Sequence, residues 1–286
     1  MSICILLMRY NREPVSLQAL AVFMVILLLL VGCGNVGLSV RVPATEDALG
    51  ECVVLVHGMG RTYRSMERMQ QKLVGAGYHT VNMGYPSTER TIEAIADEYV
   101  PQALEQCRRF SPTAVHFVTH SLGGIVVRQA IKESHPPELG RIVMLSPPNH
   151  GSAVADSLKD WWFYEWFNGP AGQQLTTSGP ASLPRQLGPV DYAVGVITGD
   201  RYYFFDFWLS AIIPGLDDGK VSVASARLEG MSDFLVVHET HPFIMDAEYV
   251  QNETVNFLKT GSFRHQKPVP PPVSGKDWFS FPSSSD

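Results

Sequence analysis

Cysteine and cationic charge are both scarce in this chain of 286 residues. Its four cysteines are not joined by histidines at zinc-ligand spacing, which argues against a structural metal module. Lysine and arginine number 22 against 28 aspartates and glutamates, a formal net charge of −6. A nucleic-acid partner favours the opposite balance, so none is expected. No internal repeat is evident, and nothing in the pattern asks for a cofactor. Apolar residues, by contrast, are plentiful. They make up 45% of the chain, ample for the core of one large α/β domain or two small ones.

The long apolar run lies near the N-terminus. Arg9 and Arg12 precede Leu17 to Gly32, a positive n-region followed by an h-region. The run ends in Leu30-Val31-Gly32-Cys33, which resembles the bacterial lipobox, where the cysteine is lipidated and becomes the mature N-terminus. Gly34 stands where an aspartate would signal retention at the inner membrane. The expectation is therefore a lipoprotein of the bacterial cell envelope, on the periplasmic side of the outer membrane. Two alternatives stay open: plain secretion, or a single uncleaved transmembrane anchor, since Val15 to Val36 is about long enough to span a bilayer. In each case the remainder lies outside the cytoplasm. Cys52 and Cys107 are an even pair suited to an oxidising compartment, as a disulfide or as two buried thiols.

Residues 34–50 read as a polar linker. Strands are expected over Glu51 to Val56, Thr80 to Tyr85, Val115 to His120, Arg141 to Leu145, Val194 to Thr198 and Phe234 to Val237. Helical spacing of apolar residues falls between them: Met66, Met69 and Leu73, then Ile92 to Arg108 capped by Ser87 or Thr88, and finally Ala247 to Leu258. Alternating strands and helices predict a doubly wound, mostly parallel α/β sheet with helices on both faces. One α/β domain over residues 51–261 results, followed by a Pro/Ser-rich tail, 262–286.

The stretch Val115-His116-Phe117-Val118-Thr119-His120-Ser121-Leu122-Gly123-Gly124 is an apolar strand that stops at a serine and reopens as a helix. A strand, a sharp turn and a helix with the serine at the apex form a nucleophile elbow. Small residues are needed two positions either side of the serine, where the backbones pass closely. Gly123 meets that demand, and Thr119 departs from the usual glycine. A serine hydroxyl needs a base, and the base needs an orienting acid. His241, in Thr240-His241-Pro242-Phe243-Ile244-Met245, is the candidate base, with His238 the weaker choice. Asp218, in Asp217-Asp218-Gly219, is the candidate acid, with Asp217 as runner-up. The oxyanion donors are expected to be the backbone N–H groups of Leu122 and of Met59, after the first strand of the sheet. His57 reads as a structural residue that fixes that loop.

Together these segments, with Val56-His57-Gly58-Met59-Gly60 and Pro147-Pro148-Asn149-His150-Gly151-Ser152, resemble the lipase-like branch of the α/β-hydrolase superfamily. The likeness extends to bacterial triacylglycerol lipases and the inositol-deacylase-like group. In that family the aspartate directly before the glycine is the acid, which supports Asp218. The segment after Ser152 forms a cap, here about residues 152–190. Its Trp161, Trp162 and Trp166 are expected to contribute to an apolar substrate pocket or lid. The resemblance implies an ester hydrolase acting on ester or lipid substrates, which the N-terminal segment would tether to the membrane. No metal or cofactor is expected, since the calcium site that some such lipases carry is not evident in the sequence. Acyl transfer or thioesterase chemistry would use the same residues. A catalytically silent envelope scaffold is the reading from another class. Acyl chain length, the alcohol and oligomeric state are left open by the sequence.

Overall fold

The computed structural model describes residues 37–179, 182–203 and 207–265. The chain separates into two units, Met1–Gly34 and Asn35–Asp286, and every described residue belongs to the second. Cys33, the apolar run before it and the tail from residue 266 lie outside the described residues. Within these, no helix is long and apolar enough to cross a membrane.

Seven strands form one sheet: β1 (Leu38–Arg41), β2 (Cys52–Val56), β3 (His79–Met83), β4 (Val115–His120), β5 (Leu139–Leu145), β6 (Val194–Gly199) and β7 (Asp233–Val237). The helices are α1 (Glu67–Gly75), α2 (Ile92–Arg108), α3 (Leu122–Ala130), α4 (Ala153–Leu158), α5 (Trp162–Gln173), α6 (Leu183–Gln186), α7 (Phe207–Ser210), α8 (Val223–Ala226) and α9 (Glu248–Thr260). Strand order is β1-β3-β2-β4-β5-β6-β7. Only β1 runs antiparallel to its neighbour among these pairs.

Alternation along a strand sends successive side chains to opposite faces, and β2 displays this directly. Val54 and Val56 join a core with Ile95 of α2 and Ile125 of α3. Val53 and Leu55 join a second core with Leu73 of α1 and Phe257 of α9. The sheet is thus covered on both sides, as its near-continuous apolar strands require. From β2 the chain moves outward to β3, then crosses back to place β4 on the other side of β2. That reversal opens a crevice at the carboxyl ends of β2 and β4, where doubly wound sheets bind their ligands.

Three expectations are corrected. Residues 34–50 are more than a linker, because β1 pairs with the outer edge of β3, Leu38 opposite Met83 through Arg41 opposite Thr80. An unpaired strand edge is thereby satisfied. Helix α2 is capped by Thr91, whose hydroxyl accepts from the Ala94 N–H at 3.3 Å. A cap has to stand directly before the first helical turn, and Ser87 and Thr88 lie too far upstream. The domain also continues past residue 261. Phe263 is buried against Phe257, and its N–H donates to Asp233 at 2.7 Å.

Cys52, opening β2, is bonded to Cys107 in the last turn of α2 across 55 residues of chain. Both are fully buried. A bridge that closes so long a loop restricts the unfolded chain. Replacing both cysteines by alanine is expected to cost about 2–4 kcal/mol, read as a lower urea midpoint with a steeper slope, because the unbridged chain exposes more surface on unfolding.

Candidate active site

All six residues of β4 are buried, and the strand ends against Ser121, whose backbone sits at φ 51°, ψ −121°. For a residue with a side chain this costs about 1–3 kcal/mol unless its surroundings enforce it. The Ser121 N–H donates to the Leu145 carbonyl at 2.8 Å, and its own carbonyl accepts from the Gly124 N–H at 3.0 Å. Gly123 permits the close passage of α3 over β2. A Cβ there would lie 2.5 Å from the Val56 oxygen and 2.7 Å from that of His57. Thr119, fully buried, has room at the other small position because Gly124 packs against it, where a Cβ would come 3.2 Å from the threonine hydroxyl.

The Ser121 Oγ is 3.0 Å from Nε2 of His241, and the His241 Nδ1 is 2.9 Å from Oδ2 of Asp218. With Nδ1–H donating to the carboxylate, Nε2 is left to accept from the serine hydroxyl. Asp218 has no exposed surface. Its other oxygen accepts from the backbone N–H groups of Lys220 and Val221 at 3.1 and 2.9 Å, which fixes its aim. The Asp217 carboxylate is engaged elsewhere, accepting from the Gly219 N–H and the Ser210 hydroxyl. His238 faces outward and pairs with Asp200.

Beside the serine, the N–H groups of Met59 and Leu122 meet no acceptor among the described residues. The loop that carries Met59 is held from several directions. The Gly60 N–H donates to the Ser87 hydroxyl at 3.0 Å. His57 Nδ1–H donates to the Gly58 carbonyl at 2.8 Å, and its Nε2 accepts from the Tyr85 N–H at 3.3 Å. The two rings stack with centroids 4.1 Å apart. Burial pushes the His57 pKa down to about 4, so this ring is a neutral clamp.

His120, quoted in the elbow motif but given no role there, is a second clamp. Its Nε2–H donates to the His241 carbonyl at 3.0 Å, and burial, with His241 alongside, holds its pKa well below the usual histidine value. Sequence reasoning also passed over Arg61 and Lys220. Both line the cavity above Ser121, which measures about 360 Å³. Its walls are mainly apolar: Val154 and Leu158 of α4, Tyr164 of α5, Leu175, Leu209 of α7 and Val221. The signal for Arg61 was its position, two residues after Met59.

The cap is made of α4, α5 and α6, and α5 is broken at Gly169, φ 60°, where a Cβ would collide with the Thr88 carbonyl. The tryptophan expectation needs correction. Trp161 and Trp166 are 56% and 55% exposed, and the described lining does not include them. The cavity face of α5 carries Tyr164 and Asn168 instead; Trp166 falls on another face of the helical wheel, and Trp161 stands before the helix begins. The Trp162 side chain lies outside what is described. Among the described residues, no group of histidines, cysteines or carboxylates is arranged to hold a metal ion.

Two outcomes follow from this packing. His57 and His120 take up protons in the unfolded chain near the ordinary imidazole value of about 6.5 but resist them when folded. The unfolded state then binds more protons, so stability is complete above about 6.5 and declines as pH falls toward about 4. Thermal midpoints across that range should fall steadily. Gly123→Ala is expected to lose about 1–3 kcal/mol from overpacking, measurable by urea unfolding.

Solved structures similar to the chain include lipases and a phospholipase. Bacillus licheniformis lipase BlEst2 in mature form aligns at 18% identity with a TM-score of 0.63, over 78% of this chain and 98% of that one. Phospholipase PlaB from Legionella pneumophila aligns at 18% identity and a TM-score of 0.55, over 74% of this chain and 57% of that one. Aspergillus fumigatus lipase B gives 16% and 0.55, over 77% and 56%. At such identities the likeness is one of fold. No curated protein matches the chain in sequence. A profile of one family does match, over residues 53–265, and by that match the chain belongs to the alpha/beta hydrolase family.

Proposed function

We propose that the chain is a membrane-tethered serine ester hydrolase acting on acyl esters of the lipid kind. The observation that carries this reading is the unbroken hydrogen-bonded line from Ser121 through His241 to Asp218 at the floor of an apolar cavity. His241 accepts the hydroxyl proton as Ser121 attacks the ester carbonyl. Asp218 keeps the imidazole oriented and stabilises the positive charge it gains. The oxygen of the tetrahedral intermediate turns toward the N–H groups of Met59 and Leu122, which have no other acceptor to leave among the described residues. His241 then protonates the departing alcohol, and water, activated by the same histidine, releases the acyl group. The cavity volume falls within the range of small-molecule sites, and its aliphatic walls suit an acyl chain. The tether is read from the N-terminal sequence alone, whether as a lipidated Cys33 or as an uncleaved anchor.

The full chain in detergent, treated with a fluorophosphonate probe, is expected to label at Ser121. Ser121→Ala should abolish labelling and reduce p-nitrophenyl ester hydrolysis by about 10⁴-fold or more. A folded protein that neither labels nor turns over any ester from short to long chain would sink the reading. Asp218→Asn should cost on the order of 10⁴-fold in kcat by disturbing the histidine tautomer. Asp217→Asn should cost far less, and an equal loss in the two would reassign the acid.

A further inference from the structure

The cavity above Ser121 has a charge bias opposite to that of the chain. The protein as a whole carries a formal net charge of −6, yet no aspartate or glutamate is among the described residues lining this cavity. Its charged lining groups are Arg61 and Lys220. Arg61 is half-buried and sits on the oxyanion loop, two residues after Met59. Its Nη2–H donates to the Pro242 carbonyl at 2.9 Å, next to His241. That uses one of five guanidinium N–H donors. Among the described residues Arg61 forms no ion pair. Its field is nonetheless felt nearby, since it helps to lower the pKa of His120 and opposes the burial-driven rise at Asp246.

A half-buried arginine that makes no ion pair among the described residues, and acts on Asp246 only at longer range, in a cavity with no acidic group in its described lining, is suited to bind an anion. We infer that the ester bound here carries an anionic group, a carboxylate or a phosphate, close to the scissile bond, and that Arg61 binds it. This rests on the serine-hydrolase reading and narrows it: the substrate is an acidic ester, and Arg61 selects it over a neutral one of equal length. The apolar walls take the acyl chain, and the guanidinium at the rim takes the charge. The bond to Pro242 holds the guanidinium fork in place, so little freedom is lost on binding.

Two matched pairs of substrates test the assignment on the full chain in detergent. One pair is a p-nitrophenyl monoester of a dicarboxylic acid against the neutral p-nitrophenyl ester of the same chain length. The other is a 1-acylglycerol 3-phosphate against the corresponding monoacylglycerol. The first pair puts the charge on the acyl side, and the second puts it on the alcohol. In at least one pair the charged ester should be favoured in kcat/KM by about tenfold or more, with a preference that shrinks as salt is added. Arg61→Gln should erase that preference mainly through KM, and Arg61→Lys should restore part of it. No preference in either pair overturns the assignment. So does an Arg61→Gln loss shared equally by charged and neutral esters, which would mean that the arginine only steadies the His241 loop. A wild-type protein inert toward all four esters, and unlabelled at Ser121, would instead remove the hydrolase reading beneath it.

Discussion

The site depends on how closely one helix passes one strand end. Helix α3 leaves Ser121 with Gly123 pressed against the carbonyls of Val56 and His57, a separation that no side chain permits. This contact sets the elbow beside the loop after β2, so that the serine and the Met59 N–H face the same space. It also forces Ser121 into a backbone conformation that side chains rarely adopt. The bonds to Leu145 and Gly124 hold it there. Strain of this kind persists only where the surroundings over-determine it, and here a fully buried strand and two packed cores do so.

Around that contact, the supporting groups are themselves immobilised. His57 is clamped between Gly58 and Tyr85, and His120 is tied to the backbone of His241. Asp218 is held by two N–H donors of its own loop. Four loops, each leaving the carboxyl end of a different strand, therefore converge without relying on their own stiffness. Preorganisation of this sort lets hydrogen-bond donors meet developing charge without reorganising first.

The fold was legible in the sequence because buried parallel strands read as uninterrupted apolar runs, such as Cys52 to Val56, and because helix spacing between them is regular. Ser121, Asp218 and His241 stood out by their chain order and by the glycines beside two of them. What escaped was whatever depends on tertiary partners. Leu38 to Arg41 is short and mostly exposed, so it carries no strand pattern; only the open edge of β3 makes it a strand. The aromatic cluster of the cap suggested a pocket wall, but composition cannot say which face of α5 turns inward. Arg61 and His120 carry no motif of their own, and their significance comes from neighbours more than a hundred residues away along the chain, Pro242 and His241.

The bond between Cys52 and Cys107 constrains the sequence of events by which the molecule matures. Its sulfurs are sealed beneath packed side chains, so no oxidant reaches them once the core has closed. Oxidation has to come while β2 and α2 are still loosely assembled. A chain that completed its packing in a reducing compartment would therefore keep two entombed thiols, and later exposure to an oxidising milieu would not repair the omission without unfolding. Burial of the bridge thus ties its formation to the open stages of folding.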